Sequence, residues 1–392
     1  MPKIEGEVFD IEKKEEEEIV KTDDETNEKY RKGEMRIITE QARYPVKSIK
    51  GLLDDTDDYK LNPVYQRRKR WDIGRKSRLM ESFIMNVPLP PIFLYEYSIA
   101  KYEVMDGQQR LTSIYDFYSD NFALEGLEYW KELNGKRYSE LPSEIQKGID
   151  RRYLSSIVLL EETAKTEKEA EELKQIVFER LNSGGEKLEP QETRNALYNG
   201  KMNQLCLELA KNDKFRKMWK IPLETESEKI LLANESYRKM EDVELVLRFF
   251  AYRHLEKLSG YTVEDFLDEY LKKANDYPDE TIEELKILFI NSIDVVYELF
   301  GERAFMLPEL DKKAYKPVKT VYDPLMQSIA KNIVYKEKFL ENKQDINENR
   351  FKNKDILVNE KGKRVFDGRY NAWTEIKNRM EYFDKLFEEY IK

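Results

Sequence analysis

The sequence has almost none of the two side chains that most often build metal centres and nucleophilic sites. Its 392 residues include one cysteine, Cys206, and one histidine, His254. A lone cysteine excludes an internal disulfide and a zinc cluster of thiolates. A lone histidine excludes any metal site with two histidine ligands. An enzyme built on this chain must therefore work with carboxylates, amides, hydroxyls, arginines and a bound cation.

The surroundings of both residues predict structural roles. Cys206 lies in the apolar helical stretch MNQLCLELA, which favours buried packing over nucleophilic chemistry. His254 lies in RFFAYRHLEKL, which has helical character and favours a packing or surface role.

Long apolar runs are also absent. None approaches the roughly 20 residues that a membrane-spanning helix needs. The N-terminal stretch MPKIEGEVFDIEKKEEEE is acidic and has no apolar core of the kind found in secretory signals. We therefore expect a cytoplasmic protein without a membrane partner.

The charge is negative overall but unevenly distributed. The net charge of -10 disfavours tight nonspecific DNA binding. The segment QRRKRWDIGRKSR is the exception, because it is strongly basic and contains only one acidic residue, Asp72. A local site for anions is therefore compatible with the overall sign.

Pattern and composition divide the chain into three parts. Residues 1–34 are acidic and poor in core-forming side chains, which predicts a disordered tail. Residues 35–200 alternate strand and helix patterns, and the continuously apolar strand IFLYEY is expected at the centre of a sheet. Residues 201–392 show helical periodicity almost throughout. The predicted fold class is α+β, a mixed α/β domain followed by an all-helical domain.

The densest polar cluster, Asp106-Gly107-Gln108-Gln109-Arg110, lies where a predicted strand gives way to a helix. A helix start presents backbone N–H groups without partners and the positive end of the helix dipole. Gly107 allows close approach of a ligand, and Arg110 can offer a guanidinium fork, so the pattern is typical of phosphate binding. Asp106 is then placed to hold a divalent cation or orient water, and the two glutamines to bond phosphate, ribose or base. The alternative, that Asp106 caps the helix and the other side chains face water, stays open.

Two further polar clusters flank this one in sequence. NPVYQRRKRWD contains Gln66, Arg67 and Trp71, and reads either as part of a site or as a solvated basic loop anchored by Trp71. FERLNSGGEKLEPQETRNAL turns at Asn182 and the glycines that follow. That turn suits a lid or second wall of a site, although the glycines also serve simply to end a helix.

Together the segments PVYQRRKRW, VMDGQQRLTSIYDF and VFERLNSGGEKLEPQETRNAL resemble the N-terminal domain of GmrSD-type restriction systems, over about residues 36–200. The resemblance implies a ParB/sulfiredoxin-like fold that binds and hydrolyses nucleoside triphosphates in prokaryotic defence against foreign DNA. It implies a nucleotide site at the DGQQR segment. The expected catalytic residues are Asp106, Gln108, Gln109 and Arg110, with Mg²⁺ at Asp106, and the expected nucleotide-binding residues are Gly107, Gln66, Arg67 and Asn182.

Fuller members of that family often carry a C-terminal HNH nuclease module, which requires several histidines. With His254 alone, we expect no DNA cleavage by that chemistry. The stretch PDETIEELK, which starts at Pro278, contains the letters of a metal-dependent nuclease motif. That motif needs its Glu and Lys on a strand, whereas the pattern here predicts the start of a helix.

Three functional hypotheses follow. The first is a nucleoside triphosphate hydrolase or nucleotide-gated switch. The second is a non-catalytic DNA-binding or sensor subunit that recruits a separate nuclease, with DNA phosphates contacted by Arg68, Lys69, Arg70 and Arg75. The third is a toxin or regulator in which the helical half carries the function. A homodimer is the expected assembly.

Overall fold

The computed structural model describes residues 2–11, 22–31, 37–55, 58–61, 71–160, 166–182, 188–307, 316–351, 366 and 373–391. The chain divides into two compact units. Residues 16–188 form one, called here the sheet unit, and residues 1–15 with 189–392 form the other, the helical unit. The strand-containing and helical parts predicted from sequence are both present, so the α+β fold class is confirmed.

The sheet unit is built on a mixed sheet of five strands among the described residues, in the order β1-β5-β3-β4-β2. The pairs β1/β5 and β3/β4 are antiparallel, whereas β3/β5 and β2/β4 are parallel. The apolar strand β3 is in the middle, as its sequence predicts. The strands are β1 (Thr39–Pro45), β2 (Tyr59–Lys60), β3 (Ile92–Ser98), β4 (Lys101–Asp106) and β5 (Tyr153–Leu159).

Alternation along the strands gives the sheet two differently covered faces. Leu94 and Val104 point into the main core with Ile114 and Phe117. On the other face, Glu103 meets a helix through an ion pair with Lys174. The helices of this unit are α1 (Asp23–Arg31), α2 (Ile49–Asp54), α3 (Ile73–Met85), α4 (Gln108–Tyr118), α5 (Ser143–Asp150) and α6 (Glu167–Asn182).

The helical unit contains the long helices that the periodicity predicts. The PDETIEELK letters fall at the start of a helix, with Pro278 at its N-cap, as expected. The helices are α7 (Pro190–Leu197), α8 (Lys201–Leu209), α9 (Asp213–Trp219), α10 (Glu228–Ala233), α11 (Glu235–Arg238), α12 (Glu241–Ala251), α13 (Val263–Ala274), α14 (Asp279–Phe300), α15 (Lys319–Lys331), α16 (Lys336–Glu341), α17 (Lys343–Asn349) and α18 (Trp373–Ile391).

The division between the units falls after Leu188, earlier in the chain than the expected boundary at residue 200. The reason is α7, whose Arg194 is almost fully buried. Its guanidinium donates hydrogen bonds to Asp268 at 2.6 Å and Glu244 at 3.2 Å, both in the helical unit. The end of the third sequence cluster, Arg194-Asn195-Ala196, therefore packs within the helical unit.

The start of the chain also departs from expectation, because residues 2–11 are ordered on the helical unit where composition predicts a disordered tail. Phe9 is buried against Tyr270 and Phe266. Glu7 accepts two hydrogen bonds from Arg253 at 2.7 and 2.6 Å. Two apolar anchors, Ile4 and Phe9, and one buried ion pair outweigh the acidic composition of this segment.

The cysteine and the histidine have structural roles. Cys206 is fully buried in α8, and the expectation of packing is confirmed. His254 lies in a 3-10 turn, Tyr252–Leu258, and its Nε2 is 3.0 Å from Glu7. Within the described part of the chain, none of the helices has the combination of length and apolar character that crossing a bilayer requires.

Candidate functional site

Strand β4 leads directly into α4 through one residue, Gly107, which is the N-cap of the helix. Its φ is +94°, in the left-handed region that favours glycine. A Cβ on this residue would lie 2.4 Å from Cγ2 of Ile92 on the neighbouring strand β3. Both the backbone angle and the close approach of β3 therefore require glycine, and they place the start of α4 against the end of the central strand.

The first turn of α4 has open backbone donors. The N–H groups of Arg110 and Leu111 both bond to the carbonyl of Gly107, at 3.0 Å each. Among the described residues, the N–H groups of Gln108 and Gln109 have no hydrogen-bond acceptor. No side chain among the described residues caps the helix, so the alternative interpretation, in which Asp106 is the capping residue, is wrong. Two donors and the positive end of the helix dipole are therefore available to an anion.

Arg110 is held by internal partners. Its Nη2 donates to Oδ2 of Asp106 at 2.9 Å, and its Nη1 donates to the carbonyls of Pro90 and of Pro91, the latter at 3.2 Å. The Arg110 side chain is 11% exposed and that of Asp106 48%. Burial lowers the pKa of Arg110, although the Asp106 carboxylate opposes this. The guanidinium thus fixes the end of β4 to the chain before β3, in contrast to the sequence expectation that it reaches a phosphate directly.

The two glutamines have different surroundings. Gln109 accepts a hydrogen bond from the backbone N–H of Trp71 through Oε1, at 3.0 Å. This bond joins the end of the first sequence cluster to the second. Gln108 is buried, and its side-chain amide has no hydrogen-bond partner within the described ranges. An unpartnered amide beside two open N–H groups suits recognition of a ligand.

The structure describes only some of the remaining predicted site residues. Gln66, Arg67, Arg68, Lys69 and Arg70 lie outside the described residues. Asn182 is the last residue of α6, and its side chain lies outside the described part. Arg75 is exposed on the first turn of α3, where its N–H bonds to the N-cap Asp72 at 2.7 Å.

Helix α6, which carries the first half of the third cluster, lies against β4 on the face opposite α4. Lys174 pairs there with Glu103, and its Nζ is 5.5 Å from the centre of the Tyr95 ring. Trp71, at the end of the first cluster, is therefore bonded to α4, and the helix that carries the start of the third cluster packs on β4.

Sequence reasoning missed the backbone that surrounds Arg110. The stretch VPLPP predicts only the end of a helix, and α3 does end at Met85. In the structure the carbonyls of Pro90 and Pro91 bind Arg110, and Ile92 sets the close approach to Gly107. No sequence pattern signals that a carbonyl will serve as a partner, because every residue has one.

The site contains a donor set compatible with magnesium but not with a closed metal centre. Among the described residues, no group of three or more acidic, histidine or cysteine side chains is arranged to hold a metal. Asp106 has one oxygen bonded to Arg110 and leaves the other without a protein partner in the described ranges. A single carboxylate fits Mg²⁺, which normally binds through one or two carboxylates, substrate phosphates and water.

These features define a mixed-sheet domain in which an open helix N-terminus follows the strand next to the central one. A glycine N-cap, a buried amide side chain and an ion pair lie beside it. Residues 49–199 match the family model of the GmrSD restriction endonuclease, N-terminal domain. This part of the chain is similar to that domain, which confirms the resemblance drawn from the three clusters. No curated protein and no solved structure matches the chain.

Proposed function

We propose that the chain binds a nucleoside triphosphate at the start of α4 and hydrolyses it, as part of a restriction system acting against foreign DNA. The observation that carries the proposal is the pair of N–H groups at Gln108 and Gln109, which lie next to the buried amide of Gln108 and, like it, have no hydrogen-bond partner among the described residues. The family match supports the restriction role, because the family is named for restriction endonucleases.

Each residue of the DGQQR segment has a role in this proposal. Gly107 lets phosphate oxygens approach the backbone, and the Gln108 amide donates to the same group. Arg110 acts as a positioning residue: it orients Asp106 and contributes positive charge beside the phosphates. Asp106, through its free oxygen, would hold Mg²⁺, which supplies charge neutralisation of the phosphates when it is bound. Gln109 keeps the chain at Trp71 close to the site.

The test is nucleotide binding and phosphate release by the full chain and three variants. Gln108→Ala is expected to weaken triphosphate binding about tenfold or more, the effect of losing one hydrogen bond to a charged group. Arg110→Ala is expected to weaken binding as well, because it removes positive charge beside the phosphates and the partner that orients Asp106. Arg152→Ala is the matched control, because Arg152 also donates to two backbone carbonyls, those of Phe83 and Ile84, away from α4.

The outcomes separate the parts of the proposal. Equal turnover by the wild type and Arg110→Ala would remove the assignment of the DGQQR segment to hydrolysis. Tight binding without phosphate release would leave a nucleotide-gated switch. Equal losses in Arg110→Ala and Arg152→Ala would show a general effect on stability and overturn the site.

A second function, DNA contact through the basic segment, is favoured by the exposure of Arg75 and Arg78 on α3. Their spacing of three residues places them on one side of the helix. We expect a chain that recruits a separate nuclease to bind duplex DNA with an affinity that falls steeply with salt. Absence of binding at low salt would assign this segment to nucleotide or protein contacts.

A further inference from the structure

Residues 2–11 lie on the helical unit in the way that a bound peptide lies on its receptor, and are called here the N-terminal arm. Three backbone carbonyls of the arm accept hydrogen bonds from side chains of the helical unit. They are the carbonyls of Pro2, from Arg253 at 3.0 Å, of Glu5, from Thr281 at 2.7 Å, and of Phe9, from Lys257. In peptide recognition, main-chain hydrogen bonds of this kind give affinity and side-chain contacts give specificity.

The acidic side chains of the arm are matched by cations. Glu7 accepts hydrogen bonds from Nε and Nη2 of Arg253, at 2.7 and 2.6 Å, and Nε2 of His254 is 3.0 Å from the same carboxylate. The Glu7 side chain is 5% exposed and that of Arg253 is 2% exposed. At a more exposed position, Asp10 pairs with Lys257 at 2.6 Å. The arm is therefore acidic where its site is basic, and the buried guanidinium fork fixes the position of Glu7.

Two apolar side chains anchor the arm. Phe9 is buried, and its ring packs edge to face on the rings of Phe266 and Tyr270, with ring centres 5.6 and 5.3 Å away. Ile4 is also buried, whereas Val8 is 63% exposed. Because a few buried side chains carry most of the affinity at an interface, we expect Phe9 to dominate the binding of the arm.

The backbone of the arm comes closest to the helical unit at Gly6. Its φ is +79°, and a Cβ there would lie 2.4 Å from Oγ1 of Thr281. The site that binds the arm, called here the arm site, is therefore selective for the sequence pattern I-x-G-E-x-F. The arm site consists of Arg253, His254, Lys257, Phe266, Tyr270 and Thr281.

Three buried polar atoms at or beside the arm site have no hydrogen-bond partner within the described residues. They are Nη1 of Arg253 and the hydroxyl groups of Tyr270 and Tyr277, whose ring centres are 6.4 Å apart. Polar atoms that are buried without partners cost free energy. Arg253 binds the arm directly, so part of this cost belongs to docking. Docking is therefore less favourable than its contacts alone imply, which favours exchange between a docked and a released arm.

We propose that the arm site binds the N-terminal arm of a second copy of the chain, so that two copies exchange arms and form a homodimer. Each contact described above forms equally when the arm comes from the other copy, so exchange loses none of them. A second copy is the occupant because this chain carries the I-x-G-E-x-F pattern and the charges that match the site. The proposal is independent of nucleotide binding at α4, because the arm and the arm site both belong to the helical unit.

The test mixes two full-length variants, each with one half of the interaction. Phe9→Ala has a defective arm and an intact site, and Arg253→Ala has an intact arm and a defective site. Each alone should sediment as a monomer in analytical ultracentrifugation, because loss of a buried aromatic ring or of a buried ion pair weakens docking about a hundredfold. An equimolar mixture should sediment as a heterodimer, and the wild type as a homodimer. Excess synthetic peptide of residues 2–11 should dissociate both.

Lys257→Ala replaces Arg253→Ala if the latter does not fold, because the Lys257 side chain is 32% exposed. Its matched control is Lys272→Ala, since Lys272 is 34% exposed and pairs with Glu269 at 3.1 Å. Mixed with Phe9→Ala, Lys257→Ala should form about fivefold more heterodimer than Lys272→Ala does. The reason is that its own site, which has lost one hydrogen bond, competes less for its arm.

Val8→Ala is the matched control for the arm, because Val8 is exposed beside the buried Phe9. It should sediment as the wild type does. A mixture of Phe9→Ala and Arg253→Ala that stays monomeric, with both variants folded by circular dichroism, overturns the proposal. So does a wild type that is monomeric at every concentration, or a dimer that persists with saturating peptide.

Discussion

At the scale of single residues, Gly107 determines the geometry of the candidate site. Its positive φ turns the chain from β4 into α4 within one residue, and the absence of a Cβ admits Ile92 from β3. The turn leaves the N-cap without a side-chain acceptor, which is why the N–H groups of Gln108 and Gln109 have no partner in the described part of the chain. A residue with a side-chain oxygen at this N-cap would accept a hydrogen bond from the first turn of α4. That N–H group would then no longer be available to a ligand.

Gly107→Ala tests this account of the turn. We expect a loss of about 3 kcal/mol in stability, from the left-handed backbone and the overlap with Ile92. Gly126→Ala is the control, since Gly126 also has a positive φ, +68°, but a Cβ there would meet nothing within 4 Å. It should lose only about 1 kcal/mol. Similar thermal unfolding midpoints for the two variants would contradict the role of the close approach.

At the scale of elements, the bond between Gln109 and the Trp71 N–H connects α4 to the chain that enters α3. A second connection follows one turn later in α3, where Lys76 pairs with Asp116 of α4 at 2.7 Å. The sequence predicts both helices, but not the bond between them. A backbone N–H and a side-chain acceptor 38 residues apart leave no periodic signal, whereas helix and strand patterns depend on near neighbours.

Gln109→Leu removes the connection at Trp71 while keeping the side-chain size. The Trp71 amide should then exchange with solvent about fivefold faster, because a typical hydrogen bond contributes about 1 kcal/mol. Hydrogen exchange measured by mass spectrometry over the start of α3 reports this directly, and α5 provides an internal reference that should not change. Unchanged exchange at Trp71 would show that the hydrogen bond from the Trp71 N–H to Gln109 does not hold this part of the chain on α4.

The N-terminal segment makes a second prediction at this scale, on pH. Burial would raise the pKa of Glu7, but the hydrogen bonds and charges of Arg253 and His254 outweigh it and lower the pKa below the usual 4.5. A carboxylate with a lowered pKa stabilises the fold above its unfolded-state value, and this contribution is lost as the pH falls through the folded-state pKa.

Glu7→Gln should therefore destabilise the protein by about 3 kcal/mol at pH 7, since it leaves Arg253 buried without its partner charge. The difference from the wild type should shrink as the pH falls below 4.5. Asp10→Asn, at an exposed ion pair with Lys257, is the control and should have little effect at either pH. A difference that persists unchanged at low pH would contradict the ion-pair explanation.

At the scale of the whole molecule, the sequence predicts the class of fold and the central strand, because both depend on periodicity and apolar runs. It places the site at Gly107 because a strand pattern ends and a helix pattern begins there. The boundaries of the two units differ from those expected from the sequence. Helix α7 belongs to the helical unit through Arg194, and residues 2–11 belong to it through Phe9 and Glu7. These are tertiary contacts between distant residues, which no local pattern encodes.

The inward orientation of Arg110 has the same origin. The spacing of four residues from Asp106 permits either an internal ion pair or a ligand contact, and the carbonyls of Pro90 and Pro91 decide in favour of the first. The proposed site therefore depends on the backbone: we expect a phosphate to bind the N–H groups of Gln108 and Gln109.

Hydrogen exchange of the full chain, with and without a non-hydrolysable nucleoside triphosphate and Mg²⁺, tests that claim most directly. The account predicts slower exchange at the amides of Gln108 and Gln109 when the nucleotide is bound, with no change at the start of α15 if the ligand occupies α4 alone. Saturable nucleotide binding that leaves exchange at Gln108 and Gln109 unaltered would contradict it.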